Sequence, residues 1–71
     1  MKTIAKLDNG NHASYYNGRN GEIKMCFTPH NDFMKGMKIL NPKNEYSSID
    51  HFKSDVAKVC YDLNISVEFI K

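Results

Sequence analysis

The stretch from Ser47 to Asn64, SSIDHFKSDVAKVCYDLN, decides how the rest of the chain is read. Its apolar residues are Ile49, Phe52, Val56, Val59, Cys60 and Leu63. At about 3.6 residues per turn they project within an arc of roughly 100°, and Asp50, Ser54, Asp55, Lys58 and Asp62 fall outside it. The spacing predicts an amphipathic helix with one face made to lie on another layer. Ser47 is placed to cap its start, with Asp50 supplying a weak form of the capping box. Asn64 is placed to end it, because Asn tolerates the left-handed backbone needed at a helix C-terminus.

The residues before this helix read as strands. Lys2 to Leu7 is the first, His12 to Tyr16 the second and Glu22 to Phe27 the third, with Ile23, Met25 and Phe27 alternating. Asn9-Gly10 between the first two is a strong hairpin signal, and Asn17-Gly18-Arg19-Asn20-Gly21 is a second turn. With Asn9-Gly10 as a two-residue turn, Leu7 faces His12, Ala5 faces Ser14 and Ile4 faces Tyr15. A five-residue second loop sets Tyr15 against Ile23 and Ala13 against Met25. One face then collects Ile4, Ala13, Tyr15, Ile23, Met25 and Phe27, and is assigned to the core. The other collects Thr3, Ala5, Leu7, His12, Ser14, Tyr16, Glu22, Lys24 and Cys26, and is assigned to the open side. Thr28 to Gly36 reads as a loop punctuated by Pro29, Asn31, Asp32 and Gly36. Met37 to Leu40 is a candidate fourth strand, Asn41 to Asn44 a turn, and Ile65 to Ile70 a final strand. The expected order is β-β-β-(β)-α-β. That is an α+β fold, an antiparallel sheet of four to five strands with one helix on one face, residues 1–71 forming a single domain.

Length and charge limit the function. A chain of 71 residues buries only about 60% of its unfolded surface, which suits a shallow binding surface better than a deep cleft. No apolar run approaches the ~20 residues that cross a bilayer. The opening MKTIAKLDNGN has no apolar signal segment, so the expected setting is the cytoplasm, away from membranes. Net charge is +2, unevenly distributed. Residues 1–44 hold seven basic against three acidic side chains, net +4, and residues 45–71 three against five, net −2. This excludes a uniformly acidic DNA mimic and permits a partner with negative surface near the first part.

No cofactor or metal is expected. Cys26 and His30 are suitably spaced for zinc, but His51 and Cys60 point about 180° apart on the helix. Cys60 reads as a small buried apolar residue. Cys26 and His12, opposite one another in the expected register, are the single catalytic pairing the sequence allows, and no orienting group or oxyanion loop accompanies them. The glycine-containing turn lacks the Lys-Ser/Thr and helix of a phosphate loop. Tyr16 and Lys24 on the open face, with Arg19, Lys35 and Lys38, make an aromatic and basic set of the type that holds single-stranded nucleic acid. Phe33 and Met34 either plug the end of the core or, if exposed, anchor a protein partner. An exposed sheet edge invites a second copy of the chain.

The chain has eight Asn, no Gln and no Trp, and lysine far outnumbers arginine, the pattern of an AT-rich coding sequence. A short α+β chain without a catalytic motif resembles the accessory proteins of phages and mobile elements, among them anti-CRISPR inhibitors. The resemblance is to a class and carries over no residue. It implies stoichiometric binding to a host protein or ribonucleoprotein complex in a bacterial cell, blocking its nucleic-acid channel or assembly. The expected function is therefore a non-catalytic interaction protein acting by occlusion, through Tyr16, Arg19, Lys24, Phe33, Lys35 and Lys38. The alternative is a small nucleic-acid-binding regulator using a basic sheet face.

Overall fold

The computed structural model describes residues 2–8, 10–27, 31–43 and 45–70. Asn9, Thr28, Pro29, His30 and Asn44 of the expected turns, and the Phe27 side chain, lie outside the described residues. Strands β1 (Lys2–Leu7), β2 (His12–Asn17) and β3 (Ile23–Phe27) form an antiparallel meander. Both hairpins close in the same way. The Leu7 N–H donates to the Asn11 carbonyl at 2.9 Å and the Gly10 N–H to the Leu7 carbonyl at 3.1 Å. In the next hairpin the Gly18 N–H donates to the Glu22 carbonyl at 2.7 Å and the Gly21 N–H to the Gly18 carbonyl at 3.1 Å. Gly10 and Gly21 have φ of 87° and 81°, where a side chain would be strained. The chain thus turns over three residues with a left-handed glycine last, rather than over the expected two-residue Asn9-Gly10 turn.

This changes the register. Lys6 faces His12 and Ala5 faces Ala13, but Thr3 faces Ser14 and Lys2 faces Tyr15, with an irregularity between Thr3 and Ala5. One extra residue in β1 is a β-bulge, and it turns both Ile4 and Ala5 inward. Ala5 and Leu7, assigned to the open face by the expected pairing, are buried in the core. Between β2 and β3 the pairing differs by two residues from expectation: Tyr15 faces Met25 and Ala13 faces Phe27. A slip of two leaves each side chain on its own face.

From Asn31 on, the residues expected as a loop, and those of the candidate strand Met37–Leu40, form one helix, α1 (Asn31–Leu40). Phe33 and Met37, one turn apart, are buried, and Asp32, Lys35 and Lys38 are exposed. Gly36 is where this helix meets the next: a β-carbon there would stand 2.9 Å from Val59 Cγ1. The fourth strand is instead β4 (Glu45–Tyr46), paired with β3.

Helix α2 (Ile49–Asp62) follows the predicted stripe, with Phe52, Val56, Val59 and Cys60 buried, but Asp55, expected outside that stripe, is buried as well. Its cap is Ser48 and not Ser47: the Ser48 hydroxyl oxygen accepts from the His51 N–H at 3.1 Å. Asn64 ends it at φ 57°. The Asn64 N–H donates to the Tyr61 carbonyl at 3.2 Å and the Ile65 N–H to the Cys60 carbonyl at 2.8 Å, the two bonds of a Schellman motif. Then β5 (Val67–Phe69) pairs with β1.

The sheet order is β4-β3-β2-β1-β5, and every neighbouring pair is antiparallel. Helix α2 therefore carries the chain from one edge to the other. Its 14 residues measure about 21 Å, and four strand spacings come to about 19 Å. Ile4, Ala5, Leu7, Ala13 and Met25 from the strands, Tyr46 from β4, and Phe33, Met37, Phe52, Val56, Val59 and Cys60 from the helices make one core cluster. Both helices thus cover the same face of the sheet, giving a two-layer α+β domain.

Candidate functional site

The face that neither helix covers is ordered into three cross-strand rows. Glu45, Lys24 and Tyr16 lie side by side across β4, β3 and β2. Cys26, Ser14 and Thr3 form the next row, and His12, Lys6 and Glu68 the third. The strand pleat puts these residues on one side and the core residues on the other. Within the middle row the Ser14 hydroxyl donates to Thr3 Oγ1 at 3.3 Å.

Tyr16 is 48% exposed, directly opposite Lys24 in the strand pairing. Lys24 is committed to carboxylates: its ammonium donates to Glu45 Oε1 at 2.6 Å and lies 4.0 Å from Glu22 Oε1. The bond to Glu45 holds the Lys24 ammonium above its ordinary pKa, and the bond from Lys24 holds the Glu45 carboxyl below its own. The face as a whole sets Lys6 and Lys24 against Glu45 and Glu68, so it is close to neutral.

The expected site residues are divided between surfaces. Tyr16 and Lys24 are neighbours, and the exposed Arg19 sits in the β2–β3 loop at the same end of the sheet. Lys35 and Lys38 are exposed on α1, in the other layer. Phe33, expected as an anchor if exposed, is 1% accessible and belongs to the core. The basic bias of residues 1–44 is thus spread over both layers rather than gathered on the sheet.

The expected Cys26–His12 opposition is also corrected, since Cys26 faces Ser14. Cys60 is buried, and that burial, with the Asp8 charge as the lesser cause, pushes its thiol up to about 11. His51 packs its ring edge-on against Tyr46, centroids 5.1 Å apart. The Tyr46 hydroxyl is buried without a hydrogen-bond partner among the described residues, and burial, with Asp55 adding to it, raises its pKa. Among the described residues no group of three or more His, Cys, Asp or Glu is placed to share a metal ion, and no helix is long and apolar enough to cross a membrane.

A second surface was not anticipated. On the outer side of the helix layer Ile39 is 81% exposed, Tyr61 86% and Leu40 41%. Leu40, Ser54, Ala57, Lys58, Tyr61 and Asp62 line a shallow depression there. The signal was present in the sequence, because Tyr61 falls opposite the apolar stripe of α2. Ile39 and Leu40 could be placed only once α1 was known to be a helix.

Comparison with protein-family models, curated proteins and solved structures finds no match to this chain.

Proposed function

We propose that this chain is a small, non-catalytic interaction protein that binds a partner stoichiometrically and occludes its working surface. The contact is the uncovered sheet face around Tyr16, with Lys24 beside it and Arg19 at the rim. The partner class is a host protein or ribonucleoprotein complex, of the type that phage-encoded inhibitors such as anti-CRISPR proteins block. The supporting observation is the one-sided layering: both helices lie on one face, and the other presents a half-exposed tyrosine among polar groups. Tyrosine in such a setting offers a large apolar contact with a polar tip. A standard interface takes about 800 Å² per partner, and one broad face of a molecule with 4821 Å² of surface is of that order. The Lys24–Glu45 pair leaves the face nearly neutral, which favours a protein contact over a run of phosphates.

The test is capture from a bacterial lysate by the wild-type chain and by a Tyr16→Ala/Arg19→Glu double variant. Both positions are exposed, so the far-ultraviolet circular dichroism of the variant should match the wild type. Capture of one protein or complex should survive nuclease and fall at least about thirty-fold in the variant, the loss of a hot-spot aromatic at about 2 kcal/mol. Capture unchanged by the double variant would sink this assignment. Recovery that disappears with nuclease and falls steeply with salt would replace it with direct nucleic-acid binding.

A further inference from the structure

The outer face of the helix layer carries a projection and a recess together. Ser54, Ala57, Lys58 and Tyr61 recur at intervals of three and four along α2, so they share one outward stripe, half-buried at Ala57 and exposed at the other three. The small side chains of Ser54 and Ala57 are among those lining the depression. Tyr61, one turn further on and 86% exposed, stands up from the same face, and Leu40 of α1 also lines the depression. Charge shows the same duality. Lys58 and Asp62 lie one turn apart at the recess, and among the described residues neither takes part in an ion pair.

We propose that this face is a homodimer contact, in which two copies pack their α2 helices antiparallel across a two-fold axis that passes outside the helix, midway between the levels of Ala57 and Tyr61. A two-fold interface must be self-complementary, each group meeting its counterpart's complement. About an axis there, Tyr61 lies over the partner's Ala57 and Ala57 under the partner's Tyr61. Each Lys58 then comes within reach of the partner's Asp62, and Ile39 and Leu40 are covered at the flank. A second copy fits better than a foreign partner of one charge sign, because projection, recess, cation and anion all occur once on each chain. The inference is independent of the sheet-face reading and uses none of its residues. In the dimer the helix layers are inside and the two open sheet faces point outward, so one assembly presents two binding surfaces and gains avidity on a repeated target.

Sedimentation equilibrium from about 1 μM to about 1 mM chain tests it. The wild type should pass from 8.2 kDa to twice that mass within the range. Tyr61→Ala, at an exposed position, should weaken the dimer at least ten-fold without changing the circular dichroism. Lys58→Asp should weaken it as well, and the exchange Lys58→Asp/Asp62→Lys should restore it, a recovery that a general change in solubility would not produce. A wild type that stays monomeric throughout, or a dimer indifferent to Tyr61→Ala and to the charge exchange, overturns the proposal. The second result would move the contact to a sheet edge. Neither outcome affects the Tyr16→Ala/Arg19→Glu capture experiment.

Discussion

The two cysteines are chemically unequal because of where the backbone puts them. Cys60 is on the buried stripe of α2, and its thiol is pushed up to about 11 by loss of solvent. At pH 8 only about one molecule in a thousand carries the thiolate there, and the sulfur is also covered. Cys26 lies on the uncovered sheet face, half-buried. Alkylation at pH 8 should therefore modify Cys26 alone in the native protein and both residues in denaturant, as intact mass would show; equal rates at the two sites would refute the placement. Linkage gives a second readout. A thiol that keeps its proton to a higher pH in the folded state supports the fold below its ordinary value of 9.0. That support is lost as pH rises towards 11, so the melting temperature should decline across this window, and Cys60→Ala should flatten the decline. Residue-level legibility was mixed. Cys60 on the apolar stripe and Asn64 at the left-handed helix end follow directly from spacing and residue type. The Ser47/Ser48 choice of cap does not, because adjacent serines offer the same hydroxyl and only the backbone decides between them.

At the level of elements, α1 was the main omission, and Gly36 the reason. A glycine amid Pro, Asn and Asp reads as a breaker, since it costs a helix about 1 kcal/mol relative to Ala. Here the missing side chain is what lets two helices approach. Phe33, Met37 and Leu40 do recur at helical spacing, but over ten residues that pattern is too short to outweigh the breakers. Gly36→Ala should consequently destabilise the protein despite improving helix propensity. The added methyl meets Val59 at 2.9 Å, and a buried branched side chain cannot move aside cheaply. A net loss of about 1–3 kcal/mol is expected, measured by urea unfolding, with partial recovery in Gly36→Ala/Val59→Ala. A Gly36→Ala protein more stable than wild type would show that the helices have room to separate. The length of the first turn was illegible for a similar reason: an Asn-Gly pair serves two-residue and three-residue turns alike, and strand pairing alone distinguishes them. It matters for the candidate site, because the three-residue turn moves Ala5 and Leu7 off the open face and leaves Tyr16 as its large exposed ring.

For the whole molecule, the class of fold was legible and the distribution of charge over it was not. Strand, helix and turn signals agree locally, which is what makes an α+β reading secure. Which lysines stand together depends on where α1 lies, and so the expected grouping of Lys24, Lys35 and Lys38 came apart between two layers. The crossing of α2 from β4 to β5 has a mechanical consequence as well. It brings the last strand alongside the first, so Lys2 and Ile70 lie at the same end of an antiparallel pair, where the Ile70 N–H donates to the Ile4 carbonyl at 2.8 Å. A load applied between residues 2 and 70 would act across these strands and strain their hydrogen bonds one after another, like a zip. A load between residues 2 and 66 would act along the strands and strain the same bonds together. Tweezers attached at the first pair of points should open the molecule at a distinctly lower force than at the second; equal forces would mean that the β1–β5 seam is not what yields. The protein would then be soft to tension in one direction and firm in another, a directional weakness set by which strand the crossing helix delivers to the edge.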